Sequence, residues 1–226
     1  QIIFMNRFFA IAAVGLIALA SCKGAPKADE AKTTNEQQVT ATEGVVYKID
    51  STQVVNFIGT KPVGRHDGTF HISEGQISVS NDTSVAGGKF TMDLKSLKIT
   101  DKDTAGTTKL ARHLASADFF EVEKYPTATF EITDIQPYNA DSTKPALVLA
   151  GATHTVSGNL TLKGVTKNVT FPAIINANGN TASAQANFNI NRTDWGLVYG
   201  NDKSLGDKFI RPEVNVSFHI SVNKPQ

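Results

Sequence analysis

A two-residue rhythm that starts near Val45 and still runs at Val222 restricts the fold of this chain more than any other feature. It is cleanest at the end, where Val214, Val216, Phe218, Ile220 and Val222 alternate with Asn215, Ser217, His219 and Ser221. Phe90, Met92 and Leu94 alternate with Lys89, Thr91, Asp93 and Lys95. Val169, Phe171, Ala173 and Ile175 form a third row, and Ala182, Ala184, Ala186, Phe188 and Ile190 a fourth. Val156, Leu160 and Leu162 share a face with Gly158 between them, and Phe130 and Ile132 open another row. Successive side chains of a strand point to opposite faces, so each row is an oily face backed by a wet one. That is the signature of antiparallel strands around a shared interior.

Turn signals separate the rows: Gly87-Gly88, Gly164, Asn178-Gly179-Asn180 and Gly200-Asn201-Asp202. Earlier strands are expected near 53–59, 69–72 and 76–79, which brings the set to about eight or more. Pro172 and Pro212 are expected at strand ends or bends, since proline cannot donate to a ladder. An antiparallel set of this size forms a sandwich or a closed barrel, and closure is favoured because it leaves no edges. A small barrel is either filled by its side chains or holds one ligand, and periodicity does not choose between them.

One stretch breaks the rhythm. Leu110 and Leu114 sit four apart, as on one face of a helix, so a short helical insert is expected near 106–120. Phe119 and Phe120 follow, and Tyr125-Pro126 forces the chain extended before a strand at Thr127. A lone helical insert in an all-strand chain suits a plug or lid.

The N-terminus reads as an address. Arg7 precedes an apolar run from Phe8 to Ala20 that is shorter than the roughly 20 residues of a membrane-spanning helix. The run ends Leu19-Ala20-Ser21-Cys22, which resembles the bacterial lipobox. Residues 1–21 are therefore expected to be a lipoprotein signal peptide, and Cys22, the single cysteine, the lipidated residue. No intramolecular disulfide can form. Lys23, where an aspartate would signal inner-membrane retention, favours the outer membrane, on its periplasmic or outer face. Residues 22–44 read as a flexible tether with an r.m.s. span on the order of 25 Å. The barrel domain is expected over 45–226.

The formal net charge of +1 gives no reason to expect nucleic acid. His66, His71, His113, His154 and His219 are scattered without ligand spacing, so no metal or cofactor is expected. There is no Gly-x-Ser-x-Gly elbow and no phosphate-binding glycine loop, and with Cys22 committed to lipid no catalytic residue is assigned.

Four blocks carry a family likeness. They are Gly59-Thr60-Lys61-Pro62-Val63-Gly64-Arg65-His66-Asp67-Gly68; His113-Leu114 with Asp118-Phe119-Phe120 and Lys124-Tyr125-Pro126-Thr127-Ala128-Thr129-Phe130; Gly158 to Lys167; and Asn191-Arg192-Thr193-Asp194-Trp195-Gly196. In this order the chain resembles the YceI-like family from about Val45 to Val222. The resemblance implies an extended eight-stranded antiparallel, lipocalin-like barrel, all-β apart from the insert, holding a polyisoprenoid or similar amphiphile. The lipobox and tether depart from the many family members that are free periplasmic proteins.

On that reading Phe57, Phe70, Phe90, Met92, Leu94, Phe130, Phe188, Phe209 and Phe218 are the candidate tunnel lining. Leu114, Phe119, Phe120 and Trp195 are the candidate mouth. His113 and Arg192 meet either a polar head group or a structural carboxylate such as Asp118 or Asp194. The expected partners are the amphiphile, a membrane through the anchor and, as an open assembly state, a second copy in a homodimer. The alternative is a filled, ligand-free barrel serving as a structural or surface interaction lipoprotein.

Overall fold

The computed structural model describes residues 26–39, 43–102, 104–139 and 147–226. Cys22 and the signal segment lie outside these residues. In chain order the strands are β1 (Asp29–Glu30), β2 (Lys32–Asn35), β3 (Val45–Lys48), β4 (Val54–Lys61), β5 (Gly64–Ser80) and β6 (Ser84–Ile99). Helix α1 (Thr107–Ala115) follows, then β7 (Thr127–Pro137), β8 (His154–Leu162), β9 (Val165–Ala177), β10 (Thr181–Asn191) and β11 (Glu213–Asn223). Two 3₁₀ segments, Arg192–Trp195 and Lys203–Lys208, lie between β10 and β11.

From β4 to β11 every strand pairs antiparallel with the next, and β11 returns to β4, which closes an eight-stranded up-and-down barrel. The apolar rows face the lumen; Phe218, Ile220 and Val222 of β11 are all buried there. One end is covered by α1 and the loop between β10 and β11. The other is covered by β3, which pairs with the far half of β5. Its Tyr47 is fully buried and donates its hydroxyl to the Gly179 carbonyl in the β9–β10 turn, 3.0 Å away.

Local departures from the sequence reading have physical causes. The strands expected at 69–72 and 76–79 are one 17-residue strand, β5, whose register against β6 shifts at bulges near Thr69, Ile72 and Ser78. His66 and His71 therefore share a strand, and the intervening Gly68 is a pairing position opposite Phe57 rather than a turn. The helix is shorter than expected and ends at Ala115. The chain then turns tightly through residues 116–124, with Phe119 N–H donating to the Ser116 carbonyl and Glu121 at a left-handed φ of 51°.

Pro172 lies inside β9, not at its end. There β9 changes neighbour: it pairs with β10 from Ala173 onward and with β2 up to Thr170. Proline falls in the gap, where a missing N–H disturbs the ladder least. The same gap accommodates part of the expected tether. β9 and β10 pair directly over only five residues each and then splay apart. Residues 29–35 fill the split, β1 running parallel to β10 and β2 antiparallel to β9.

This strap is held mainly by polar contacts, with Ala31 packed against the core. Asp29 accepts from the Val148 and Leu149 N–H groups, each at 2.9 Å, and Glu30 accepts from Asn189 at 2.9 Å. The middle of 22–44 is thus part of the barrel wall. Its polar composition concealed this because the docking uses backbone and amide groups more than buried apolar area.

Candidate functional site

An apolar cavity of about 440 Å³ fills the α1 half of the lumen. Its size lies in the range of small-molecule sites. A second cavity, of about 40 Å³, lies toward the β3 end, and Phe90, Phe130, Phe171 and Phe218 border both. The rings therefore do meet across the lumen, but at one level only, and the α1 side of that level is hollow.

Of the residues expected to line a tunnel, Phe57, Phe70, Phe90, Met92, Leu94, Phe130, Phe188 and Phe218 border the large cavity. Phe209 does not. It is buried in the loop after the second 3₁₀ segment, where no strand alternation aims it inward. Further lining comes from rows that were legible as rows but not chosen singly, among them Leu160, Leu162, Val169, Phe171, Ile190, Val214 and Val216.

At the mouth, Leu110 and Leu114 of α1 both border the cavity, as their four-residue spacing requires. Phe120 meets Phe70 edge-on with centroids 5.3 Å apart, and Phe70 stacks on Phe57 at the same distance. Phe119, His113 and Tyr199 form a second group, with centroids 4.8–5.3 Å apart. Trp195, expected at the mouth, is instead fully buried in the core and does not border the cavity. A buried indole needs an acceptor, and its N–H donates to the Leu160 carbonyl of β8 at 2.9 Å.

The two candidate head-group residues are already engaged. His113 Nε2 lies 2.9 Å from Asp118 Oδ2, the carboxylate pairing weighed as the structural alternative. Arg192 is buried and, among the described residues, faces no carboxylate at bonding distance. Its guanidinium donates to four backbone carbonyls: Leu197, Tyr199 at 3.0 Å, Ile210 at 2.9 Å and Arg211 at 3.2 Å. Burial holds its pKa below the usual arginine value, and the charge of Glu213 opposes that shift. Four of its five N–H groups are thus spent fastening the loop after β10 to the start of β11.

The polar groups with capacity to spare are ones that the sequence reading passed over. Lys61 and Lys208 border the cavity, as does His66, whose Nδ1 lies 2.7 Å from Asp101 Oδ2. Thr60 Oγ1, also on the cavity, and Arg211 Nε are buried without a hydrogen-bond partner among the described residues. The two residues adjoin, since Arg211 N–H donates to the Thr60 carbonyl at 2.9 Å. Lys61 belongs to the first family-like block, and a lysine at a strand end beside a turn was the available signal. Among the described residues no group of three or more His, Cys, Asp or Glu side chains is placed to hold a metal.

Several known proteins are similar. A UPF0312 protein of Pseudomonas putida is 34% identical over 136 residues, which cover 58% of this chain and 62% of that one. A UPF0312 protein of Pseudomonas aeruginosa is 40% identical over 94 residues, covering 38% and 43%. The chain thus matches about three-fifths or less of the length of these relatives. Among solved structures, Burkholderia cenocepacia BcnA superimposes with a TM-score of 0.58 at 23% identity, across 76% of this chain and 98% of its own. A polyisoprenoid binding domain from Saccharophagus degradans, implicated in plant cell wall breakdown, gives 0.55 at 17% identity, across 81% and 100%. At these identities the likeness is one of fold. The YceI-like domain matches residues 47–222, a span that contains the whole barrel from β4 to Val222, α1 and both cavities; this chain belongs to the YceI-like domain family.

Proposed function

We propose that the barrel binds a polyisoprenoid or similar amphiphile and carries or stores it beside a membrane. The single observation behind this is the 440 Å³ apolar cavity, which carries Lys61 and Lys208 at its rim and the buried Thr60 hydroxyl on its wall. A hydrocarbon chain gains about 0.8 kcal/mol per CH₂ on leaving water. The ligand's other home is a bilayer, which is equally oily, so transfer from membrane to barrel is nearly neutral in hydrophobic terms. Polar contacts at the rim then decide occupancy, and exchange is reversible, as a carrier requires.

Lipidation at Cys22, export and an outer-membrane location are part of the same proposal, supported by the lipobox-like Leu19-Ala20-Ser21-Cys22. The docked strap shortens the leash. Only four residue steps separate Cys22 from Pro26, whose carbonyl accepts from Asn189 at 3.3 Å. Four steps span at most about 14 Å. The likeness to a polyisoprenoid binding domain adds weight to the ligand class.

Solvent extraction and mass spectrometry of the purified protein test the reading. A co-purifying long-chain amphiphile, or uptake of added isoprenoid, is the expected result. A clean extract with no uptake would leave the dry-barrel alternative.

A further inference from the structure

Phe90, Phe130, Phe171, Phe188 and Phe218 come from five different strands, β6, β7, β9, β10 and β11, and meet in one layer across the lumen. Phe171 stacks on Phe188 with centroids 4.0 Å apart. Phe130 lies 5.8 Å from Phe171 and 5.5 Å from Phe90, its register partner. Phe218 closes the circuit, 6.0 Å from Phe90 and 6.2 Å from Phe171. Between β7 and β9, strand β8 contributes Gly158 rather than a sixth side chain. A Cβ there would stand 2.3 Å from Phe130 Cζ, so the ring occupies the space the glycine leaves. The layer separates the 440 Å³ cavity from the 40 Å³ one, and four of its five rings border both.

We infer that this phenyl layer is the floor of the ligand site and sets the length of chain the protein accepts. The inference rests on the binding reading above and narrows it. Along β11 the cavity wall runs from Val214 down to Phe218. At about 3.4 Å per residue and a tilt of about 40°, that is a depth of about 10 Å, or about 15 Å with the space under α1. A zigzag of C–C bonds about 1.5 Å long advances roughly 1.25 Å per bond, so the depth takes about a dozen main-chain carbons. That corresponds to about three isoprene units. A longer tail has to double back within the cavity or displace rings that pack on one another. The ligand class this selects is an amphiphile with about a dozen main-chain carbons, about fifteen carbons in all for an isoprenoid, and a polar head at the Lys61–Lys208 rim.

The test is native mass spectrometry of the exported protein with equimolar farnesol, of fifteen carbons, and octaprenol, of forty. Wild type should favour farnesol by tenfold or more. Phe171→Ala opens the floor between the cavities and should cut that preference at least fivefold. Phe171→Leu, which keeps an apolar side chain in the core, should shift it in the same direction by less. If Phe171→Ala does not fold, the wild-type ratio and the leucine variant decide. Wild type taking octaprenol as readily as farnesol would overturn the inference while leaving the binding reading intact. So would variants that bind farnesol with an unchanged ratio. Wild type that binds neither alcohol would overturn the binding reading, and the floor with it.

Discussion

The side chain of Asn159 on β8 holds both backbone groups of Gln37: the Gln37 N–H donates to Oδ1 at 3.0 Å, and Nδ2 donates to the Gln37 carbonyl at 2.7 Å. The same Oδ1 accepts from Asn168 of β9 at 3.0 Å. One buried amide therefore fastens the end of the strap to the wall at the place where β9 has left β10.

Replacing Asn159 by leucine removes the partners of two backbone groups and one buried amide. Each lost or unsatisfied hydrogen bond costs about 1 kcal/mol or more, so a total loss of about 2–3 kcal/mol is expected. The loss should be local to the strap. Amide hydrogen exchange over residues 29–37 should accelerate strongly, while exchange in β5 and β6 changes little. Unchanged protection of the strap would show that its pairing with β9 and β10 suffices without Asn159.

Arg192 plays the corresponding part at the mouth. Lysine keeps the charge, but its three donors radiate from one nitrogen and cannot span four carbonyls arranged around a planar guanidinium. Arg192→Lys should cost about 3 kcal/mol, which lowers the melting temperature by about 6–12 °C for a chain of this size. Exchange of the amides over 197–211 should rise along with it. A variant with wild-type melting and exchange would mean that the loop is held by its other contacts.

What the sequence made legible, and what it hid, follows from what a period of two can encode. It assigns each residue a face, and the inward rows of β9, β10 and β11 could be read directly. It does not assign height, because the level at which residues of different strands meet is set by register and barrel shear. Phe90, Phe130, Phe171, Phe188 and Phe218 were each visible as inward residues, but their meeting in one layer was not. Arg192 and Trp195 look like site residues because they are large and sit beside a turn. Only the folded backbone supplies the carbonyls that engage them. The strap left an unused trace: Asn159, Asn168, Asn189 and Asn215 occupy outward positions yet are buried. Amides on the wet face of three or more strands signal that another backbone lies over them.

Asp202 ties the mouth loop to pH. Its carboxylate accepts the Ser204 N–H at 2.8 Å, capping the second 3₁₀ segment. That backbone hydrogen bond, with a contribution from the Ser204 hydroxyl, holds its pKa below the ordinary 3.8. A depressed carboxylate stabilises the fold fully above its unfolded pKa, and the contribution is lost as pH falls through the folded value. The cap should therefore persist to below pH 3.8 and then weaken. Followed by NMR, the Ser204 amide shift should titrate with a midpoint under 3.8, and Asp202→Asn, itself a good cap, should abolish that titration. A midpoint at or above 3.8 would contradict the assignment.

Gly158 and Phe130 form the last testable pair. A Cβ on residue 158 would lie 2.3 Å from Phe130 Cζ and 2.9 Å from the Glu131 carbonyl oxygen, so Gly158→Ala must push the ring or the neighbouring strand aside. Overpacking of this kind costs about 1–3 kcal/mol. Phe130→Leu removes the ring and costs a similar amount through lost packing. If the ring is seated in the glycine notch, the double variant should be more stable than the sum of the two losses allows, by about 1 kcal/mol or more. Some cost should remain, because the Glu131 carbonyl does not move with the ring. Urea denaturation of the four proteins in the cycle measures the coupling. Additive losses would mean that Phe130 is held by its aromatic neighbours alone, and that Gly158 could be replaced without disturbing the layer beneath the cavity.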